Sequence, residues 1–192
     1  MRLTREQTAR NRRAILETAA RLFRARGFEG VAVADIMAAA GFTHGGFYNH
    51  FPSKAALAAE VCAVEIARSN RAIAAGLDAG APPAAWRRYV GQYLSREHRD
   101  RPAEGCTIAA LAADAGREGA VQESFAEGIE ELLEVIAAHL PRARRMRRSA
   151  ERASAIQIAS ELVGAIVLSR AVASASPALA DEILEAARRK LR

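Results

Sequence analysis

The sequence predicts an all-α protein of nine helices, and three observations support this prediction. About half of the residues (51%) are hydrophobic, and alanine, the strongest helix former, dominates that set. Apolar residues recur at helical spacing, whereas no segment alternates apolar and polar residues as a half-buried strand would. Capping and helix-ending residues also divide the chain into segments of ordinary helix length.

The first two helices are predicted from their ends. Thr4 is a good N-cap for a helix that continues to about Arg26, and Gly27 follows as its end. The stretch "VADIMAAA" predicts a short second helix that stops at Gly41.

The third and fourth helices are predicted from two further caps. Thr43 is expected to cap a very short third helix, which ends near His50. Pro52 then interrupts the helical pattern, and Ser53 is expected to cap a long helix over Lys54–Leu77. The five remaining helices are predicted, in chain order, over 84–98, 106–116, 117–140, 149–175 and 178–191.

Positive charge is concentrated in the first quarter of the chain. Residues 1–54 hold nine Lys and Arg against four Asp and Glu, whereas the remainder holds nineteen against eighteen. A basic segment joined to a nearly neutral body is typical of a nucleic-acid-binding protein. The alternative is a basic N-terminus that is merely solvated.

Several function classes find no support in the sequence. Two cysteines are too few for a disulfide framework, and no apolar signal segment opens the chain, so a cytoplasmic location is expected. The most apolar run, "AIQIASELVGAIVL", contains Gln157 and Glu161 and is too short to span a bilayer. The four histidines lack metal-ligand spacing, and no phosphate loop or nucleophile motif is present. We therefore expect no enzyme activity, no metal and no cofactor.

The second and third predicted helices have the spacing of a helix-turn-helix unit. Only Gly41 and Phe42 join them, and in such a unit the second helix enters the major groove of DNA. Gly45 and Gly46 disfavour helix by up to ~1 kcal/mol each. Their presence is explained if this segment lies so close to DNA that side chains would not fit.

The residues around these glycines predict the DNA contacts. Tyr48 is expected to bind phosphate through its hydroxyl, and His44 and Asn49 are expected to reach base edges or backbone. The predicted DNA-binding residues are Arg13, Thr43, His44, Gly45, Gly46, Tyr48, Asn49, His50 and Lys54. A basic arm suited to backbone or minor-groove contact comprises Arg2, Arg5, Arg10, Arg12 and Arg13. For each residue alone, an ordinary surface position is the alternative.

The segment "ILETAARLFRARGFEGVAVADIMAAAGFTHGGFYNHFPSKAALAAEV" resembles the DNA-binding domain of the tetracycline-repressor (TetR) family. The matching positions are Ala19, Leu22, Phe23, Gly27, Phe28, Val33, Ile36, Ala40, Gly41, Gly45, Tyr48, His50, Phe51, Ser53, Lys54 and Leu57. Val31 and Ala32 depart from the family, which usually has Ser or Thr there, although Asp35 still favours the helix N-terminus. His44 stands where the family often has Lys.

The resemblance implies a DNA-binding domain over residues 1–53 and a ligand-binding and dimerisation domain over residues 54–192. It implies a homodimeric repressor that a small-molecule inducer releases from a palindromic operator. The last two helices would form the dimer interface, with Ala159, Leu162, Val163, Ile166 and Val167 in it. The candidate pocket residues are Trp86, Tyr89, Tyr93, Cys106, Ile108, Leu111, Phe125 and Ile129. Each of these residues could instead be core, and an apolar or aromatic inducer is expected.

Three alternatives stay open from the sequence. Cys106 begins a predicted helix, where a thiol becomes more reactive, so it could sense oxidants or electrophiles. The stretch "RARRMRR" over residues 142–148 is expected to be a solvated linker, with a second nucleic-acid patch as the alternative. A helical protein-interaction module without DNA binding is the third alternative.

Overall fold

The computed structural model describes residues 4–140 and 148–192, and in these ranges every regular element is helical. The α-helices are α1 (Arg5–Arg26), α2 (Val33–Ala39), α3 (Lys54–Asp78), α4 (Pro82–Tyr93), α5 (Arg96–Asp100), α6 (Thr107–Ala115), α7 (Gly119–Ala138), α8 (Arg148–Val172) and α9 (Pro177–Leu191). Two 3₁₀ turns, His44–Asn49 and Pro102–Glu104, complete the regular elements of these ranges. The all-α prediction is confirmed.

The structure differs from the sequence prediction in two elements. The third predicted helix is the 3₁₀ turn His44–Asn49, because six residues that include two glycines are too few to form a stable α-helix. The helix predicted over 84–98 is two helices, because Ser95 caps a new one by accepting a hydrogen bond from the His98 N–H (3.1 Å). The basic stretch from 142 to 147 lies outside the described residues.

The N-terminal part of the structure, residues 4–53, is called the head below; it packs α1, α2 and the turn His44–Asn49 around aromatic side chains. Thr4 caps α1 as predicted, because its hydroxyl accepts from the Gln7 N–H at 3.1 Å. Phe23, Phe47 and Phe51 are almost completely buried. These rings belong to one hydrophobic core that continues from the head into the body.

The body, residues 54–192, is built on the pair α3 and α7. Gly128 lets these helices approach closely, because a Cβ there would come within 2.4 Å of Ile66 Cγ2. Asn70 is buried between them and donates to the Gly128 carbonyl at 2.9 Å. Elsewhere in the body, the Trp86 indole N–H donates to the Leu191 carbonyl at 2.7 Å and fixes α9 against α4.

Helix α8 (Arg148–Val172) contains the apolar run that the sequence analysis singles out and is longer than it. By length and composition alone, Ser149–Val172 could cross a membrane. One side of α8 packs against α7 and α9, and Ser169 donates to the Ala180 carbonyl at 2.8 Å. Apolar residues on its other side, including Leu168, are exposed.

A buried arginine joins the head to the body. Arg24 Nε donates to the Ala103 carbonyl at 2.7 Å, and Nη1 donates to Glu65 at 2.7 Å and to the Thr107 hydroxyl at 3.4 Å. Next to it, the Phe28 N–H donates to Asp114 at 3.1 Å. These bonds fix the C-terminal end of α1 against α3 and α6.

We predict that Arg24→Met destabilises the protein strongly, because it removes one partner of a buried ion pair. Glu65 keeps Arg68 as a partner (2.6 Å), so we expect a loss of about 2–3 kcal/mol rather than the full cost of an isolated charge. Arg21→Met, on the exposed side of α1, should change the free energy of unfolding by less than about 0.5 kcal/mol. Urea unfolding measures both, and equal losses would contradict the role assigned to Arg24.

Candidate nucleic-acid interface and cavity

The bend before the turn His44–Asn49, called the recognition turn below, is a complete Schellman motif. Gly41 has φ +81°, and its N–H donates to the Ala38 carbonyl at 3.1 Å. The Phe42 N–H donates to the Met37 carbonyl at 2.8 Å. This pattern ends α2 and fixes the angle at which the recognition turn leaves it. Only glycine adopts this φ without strain.

The recognition turn presents its two aromatic residues in opposite directions. Phe47 is fully buried and packs against Phe51, with ring centroids 5.8 Å apart. Tyr48 is 64% exposed, although its ring contacts the edge of Phe47. His44 and Asn49 are also exposed. The predicted reading residues are therefore exposed, whereas Phe47 and Phe51 belong to the core.

Thr43 occupies the cap position of the recognition turn without acting as a side-chain cap. Its carbonyl accepts from the Gly46 N–H at 3.1 Å, but its hydroxyl makes no capping bond. The residue is exposed, so the hydroxyl is available to a phosphate. This corrects the predicted capping role and leaves the predicted DNA contact as a proposal.

Glycine at position 45 is required neither by the backbone nor by packing within the subunit. Its φ is not positive, and an added Cβ would meet no atom within 4 Å. At Gly46 a Cβ would make only ordinary contact with Met37 at 3.6 Å. The absence of side chains here leaves the backbone of the recognition turn open to an outside surface.

Two cations predicted to contact DNA, Lys54 and Arg12 of the basic arm, have partners within the protein. The Lys54 ammonium donates to the carbonyls of Phe28 at 3.0 Å and Val31 at 3.4 Å. Arg12 forms an ion pair with Glu60 and lies over the Phe51 ring. His50 is half-buried and its Nδ1 is enclosed without a partner among the described residues. Lys54 and Arg12 thus also hold the head together.

The rest of the predicted basic arm is on the surface of α1. Arg5 and Arg13 are exposed and form no ion pair with the residues that the structure describes, whereas Arg10 pairs with Glu6 at 2.6 Å. Arg2 lies outside the described residues. On α2, Ala32 offers no side-chain cap, and its N–H donates instead to Asp35 at 3.0 Å.

A cavity of about 880 Å³ opens between α3, α4 and the segment that leads into α6. Tyr89, Tyr93 and Cys106, three of the predicted pocket residues, line it. Ile108 lines a small void of about 10 Å³ that also adjoins these three residues. The other four predicted residues lie in or against the core and do not line the cavity: Trp86, Leu111, Phe125 and Ile129.

The sequence prediction missed the polar part of the cavity wall. Glu65 and Thr107, the partners of Arg24, line the cavity, so the wall is in direct contact with the junction to the head. Arg68, Arg88 and Arg101 also line it. In the sequence, each of these arginines lies about one helical turn from apolar residues, and this spacing could have indicated that it lines the cavity. Charged residues at such positions usually face only solvent, however, so the spacing alone does not predict a cavity wall.

His98 holds together the wall that contains Cys106. Its Nδ1–H donates to the Tyr93 carbonyl at 2.6 Å, and its Nε2 accepts from the Cys106 N–H at 3.0 Å. These two bonds assign the neutral tautomer with the proton on Nδ1. Burial lowers the pKa of His98, and the nearby charge of Arg170 acts in the same direction.

The predicted dimer residues do not all face the same way. Leu162 and Ile166 are buried in the core of their own subunit, and Ala159 and Val163 adjoin the small void. Val167 is 43% exposed. The outward apolar residues that the prediction missed are Ile156 and Leu168 on α8 and Leu179 on α9.

Comparisons with known proteins agree with this arrangement. Residues 15–61 match the model of the bacterial regulatory proteins of the tetR family. The chain is 36% identical over 98 residues to the HTH-type transcriptional repressor DhaR of Mycobacterium sp. (strain GP1), an alignment that spans 50% of the chain and 48% of that repressor. The match thus covers about half the length of this curated relative.

The fold is shared with solved structures over nearly the whole chain. Escherichia coli NemR in its reduced form has a TM-score of 0.79 at 20% identity, with 95% of each chain covered. A TetR transcriptional regulator from Chloroflexus aurantiacus has a TM-score of 0.75 at 26% identity, with 97% of this chain and 94% of that one covered.

The protonation state of His98 predicts a pH dependence of stability. Because its pKa is lower in the folded than in the unfolded chain, the unfolded chain binds protons more readily. The contribution of neutral His98 is complete above the unfolded pKa of about 6.5 and is lost as the pH falls toward the folded value. Urea unfolding at pH 7.5, 6.5 and 5.5 should show this loss, and His98→Gln should show a smaller one. An identical pH slope in both proteins would contradict the assigned bonds.

Proposed function

We propose that the chain belongs to the tetR family of bacterial regulatory proteins and that it is a cytoplasmic, homodimeric transcriptional repressor. It binds a palindromic DNA operator through its two DNA-binding heads, and a small molecule in the cavity releases it. The family match over residues 15–61, the curated repressor as a relative and the shared fold support this proposal. These relatives are regulators rather than enzymes, and no group of three or more metal-ligating side chains occurs in the described ranges.

The single observation that carries the DNA-binding proposal is the surface of the recognition turn. Gly45 has no internal reason to be glycine, and it lies beside the exposed Tyr48, Asn49 and His44. A close approach to DNA supplies the reason, because the sugar-phosphate backbone leaves no room for a side chain there. Tyr48 and Thr43 hydroxyls then bind phosphate, while His44 and Asn49 reach base edges.

Positive residues of α1 extend this surface. Arg13 and Arg5 are exposed and offer charge to the DNA backbone. Lys54 can still give its third N–H to a phosphate while it holds the carbonyls of Phe28 and Val31. Two heads must lie about 34 Å apart to reach successive major grooves, so the dimer geometry decides whether the operator is bound.

The outward side of α8 and α9 supports the dimer proposal. Ile156, Val167 and Leu168 are exposed in the single subunit, and Leu179 of α9 is exposed as well. A Cβ on Gly164 would meet no atom within 4 Å, so this glycine leaves room for a second helix. Apolar side chains grouped around a small residue are typical of a helix–helix interface between subunits.

Release by a ligand follows from the position of the cavity. Glu65 and Thr107 line the cavity and also bind Arg24 at the end of α1. A ligand that binds better when these two residues have moved shifts α1, and with it the recognition turn, away from the DNA-binding arrangement.

A second candidate function is sensing of oxidants or electrophiles by Cys106. One observation favours it: the free thiol is half-buried in the cavity wall at the cap of α6. Cys62 is different, because burial raises the pKa of its thiol to about 12. Treatment with N-ethylmaleimide and mass spectrometry of each cysteine tests this candidate. Modification of Cys106 without release of DNA would exclude it.

Gly45→Ala should weaken DNA binding by at least about tenfold, because the new methyl group meets the DNA backbone and not the protein. The matched control is Gly119→Ala, since a Cβ there also meets no atom within 4 Å. Duplexes selected from random sequence by the wild-type protein provide the probe, and fluorescence anisotropy at several salt concentrations measures the affinity. Unfolding temperatures of both variants should stay close to that of the wild type.

Tyr48→Ala should abolish binding to the same duplexes while the dimer persists, and Tyr48→Phe should lose only the phosphate contact of the hydroxyl. Affinity of the wild type should fall steeply as salt rises. If no duplex is selected even at low salt, the protein is instead a helical interaction module.

Leu168→Glu should convert the dimer to monomers, because it places a charge at the centre of the outward apolar surface of α8. Val64→Glu is the matched control, since Val64 on α3 is exposed to a similar degree but lies away from α8 and α9. Analytical ultracentrifugation measures the mass of each variant. A Leu168→Glu protein that stays dimeric would refute this interface.

A further inference from the structure

Glu65 of α3 is an almost buried carboxylate that uses only one of its two oxygens within the protein. Its Oε2 accepts from Arg24 Nη1 at 2.7 Å and from Arg68 Nη2 at 2.6 Å. Its Oε1 accepts no hydrogen bond from the residues that the structure describes. Oε1 is also not among the side-chain atoms of the described ranges that are enclosed without a partner, so it keeps accessible surface.

The accessible part of Glu65 belongs to the cavity wall. The side chain keeps 10% of its surface exposed, and the residue lines the cavity of about 880 Å³. A ligand that covers Oε1 removes this oxygen from water, which costs free energy unless the ligand replaces the lost hydrogen bond. The cavity therefore favours a ligand with a donor group at this point.

Several other polar groups of the wall already have partners in the protein. The Tyr93 hydroxyl is enclosed and has the Cys106 thiol as its hydrogen-bond partner. Both ring nitrogens of His98 are used, one by the Tyr93 carbonyl and the other by the Cys106 N–H. The Thr107 hydroxyl accepts from the buried arginine of the junction. These groups are therefore not free to select a ligand.

The other two carboxylates of the cavity wall are less suited to bind a ligand. Glu97 and Glu104 are exposed, and both lie within ion-pair distance of Arg101, at 3.1 and 3.8 Å. A donor gains less from an acceptor that water solvates than from one that is almost buried. Among the wall carboxylates, Glu65 is thus the one that discriminates between ligands.

The charges around Glu65 favour an uncharged donor. An anion has no proton to donate to Oε1 and places a like charge beside the carboxylate. A cation meets Arg24 and Arg68, whose two positive charges already exceed the single negative charge of Glu65. A neutral N–H or O–H group forms a charge-assisted hydrogen bond with the carboxylate and avoids both repulsions.

Apolar surface continues from Glu65 along the same face of α3. Ile73 lies two helical turns further along this helix and lines the cavity, as do Tyr89 and Tyr93 of α4. The rings of the two tyrosines lie 5.9 Å apart. Side chains of this kind accommodate a flat aromatic ring.

We propose that the cavity binds a flat, uncharged aromatic molecule with an N–H or O–H donor, such as an indole or a phenol, and that Glu65 Oε1 accepts this hydrogen bond. Oε2 of the same carboxylate holds Arg24, so the contact with the ligand and the contact with the head share one side chain. The proposal names the ligand class of the cavity. It rests on the proposed function for its regulatory meaning alone.

Calorimetric titration of the purified protein with indole and benzofuran tests the proposal without DNA. The two probes have nearly the same shape and no charge, but only indole has an N–H donor. We expect indole to bind at least about tenfold more tightly than benzofuran. Glu65→Gln should remove this preference, because glutamine has a single acceptor oxygen, which the two arginines take. Glu97→Gln is the matched control on the same cavity wall and should keep the preference.

Circular dichroism checks the folding of Glu65→Gln, which leaves Arg24 without its carboxylate. The double variant Arg24→Met/Glu65→Met removes the buried pair as a whole and is the second test, because an apolar pair of similar size is tolerated better than a single buried charge. It should bind benzofuran as the wild type does and show no preference for indole. Equal affinities of the wild type for the two probes, no binding of either, or a preference that survives the loss of Glu65 would overturn the proposal. Binding of the selected duplexes, measured separately, shows whether the proposed DNA-binding function stands or fails on its own.

Discussion

The buried guanidinium of Arg24 is the interaction on which the arrangement of this protein depends. Enclosing a charge between packed helices is costly unless its hydrogen bonds are satisfied and a counter-charge is present. Arg24 meets both conditions with the Ala103 carbonyl, the Thr107 hydroxyl and the Glu65 carboxylate. Each partner belongs to a different segment of the body. The orientation of α1, and of the DNA-binding head that contains it, is therefore set by groups that surround the cavity.

The second enclosed arginine shows the opposite balance. Arg170 has carbonyl partners but no carboxylate, and one of its nitrogens has no partner in the described part of the chain. Arg24 thus has a carboxylate partner, whereas Arg170 is held by backbone carbonyls in the part of the chain that the structure describes.

The head shows how much of a site is decided by local sequence. Gly27 and Gly41 have φ of +74° and +81°, and both end helices, as their positions between helical segments predict. The outward and inward sides of the recognition turn also follow from local sequence, because adjacent aromatic residues in a tight turn must point apart. Local sequence did not predict the 3₁₀ geometry of the turn. It also did not predict that the Thr43 hydroxyl makes no capping hydrogen bond.

Partners that are distant in sequence were beyond prediction for a physical reason. Lys54 and Arg12 looked like free cations, but Lys54 meets carbonyls 23 and 26 residues away and Arg12 meets a carboxylate 48 residues away. The residues next to a basic residue in the sequence do not indicate whether folding brings a hydrogen-bond acceptor close to it. The same holds for Arg24 and Arg170, whose roles depend on carbonyls of other elements.

By itself, the sequence determined the all-α class, most helix ends and the helix-turn-helix unit, because caps, glycines and apolar periodicity act over a few residues. Only the tertiary structure decided which apolar side chains are enclosed and which are left facing outward. Leu162 and Val167 have the same character in the sequence, yet one is core and the other is exposed. Likewise, Tyr89 lines the cavity while Trp86 fills the core behind it. The burial of a side chain depends on the elements packed around it, and these are assembled from distant parts of the chain.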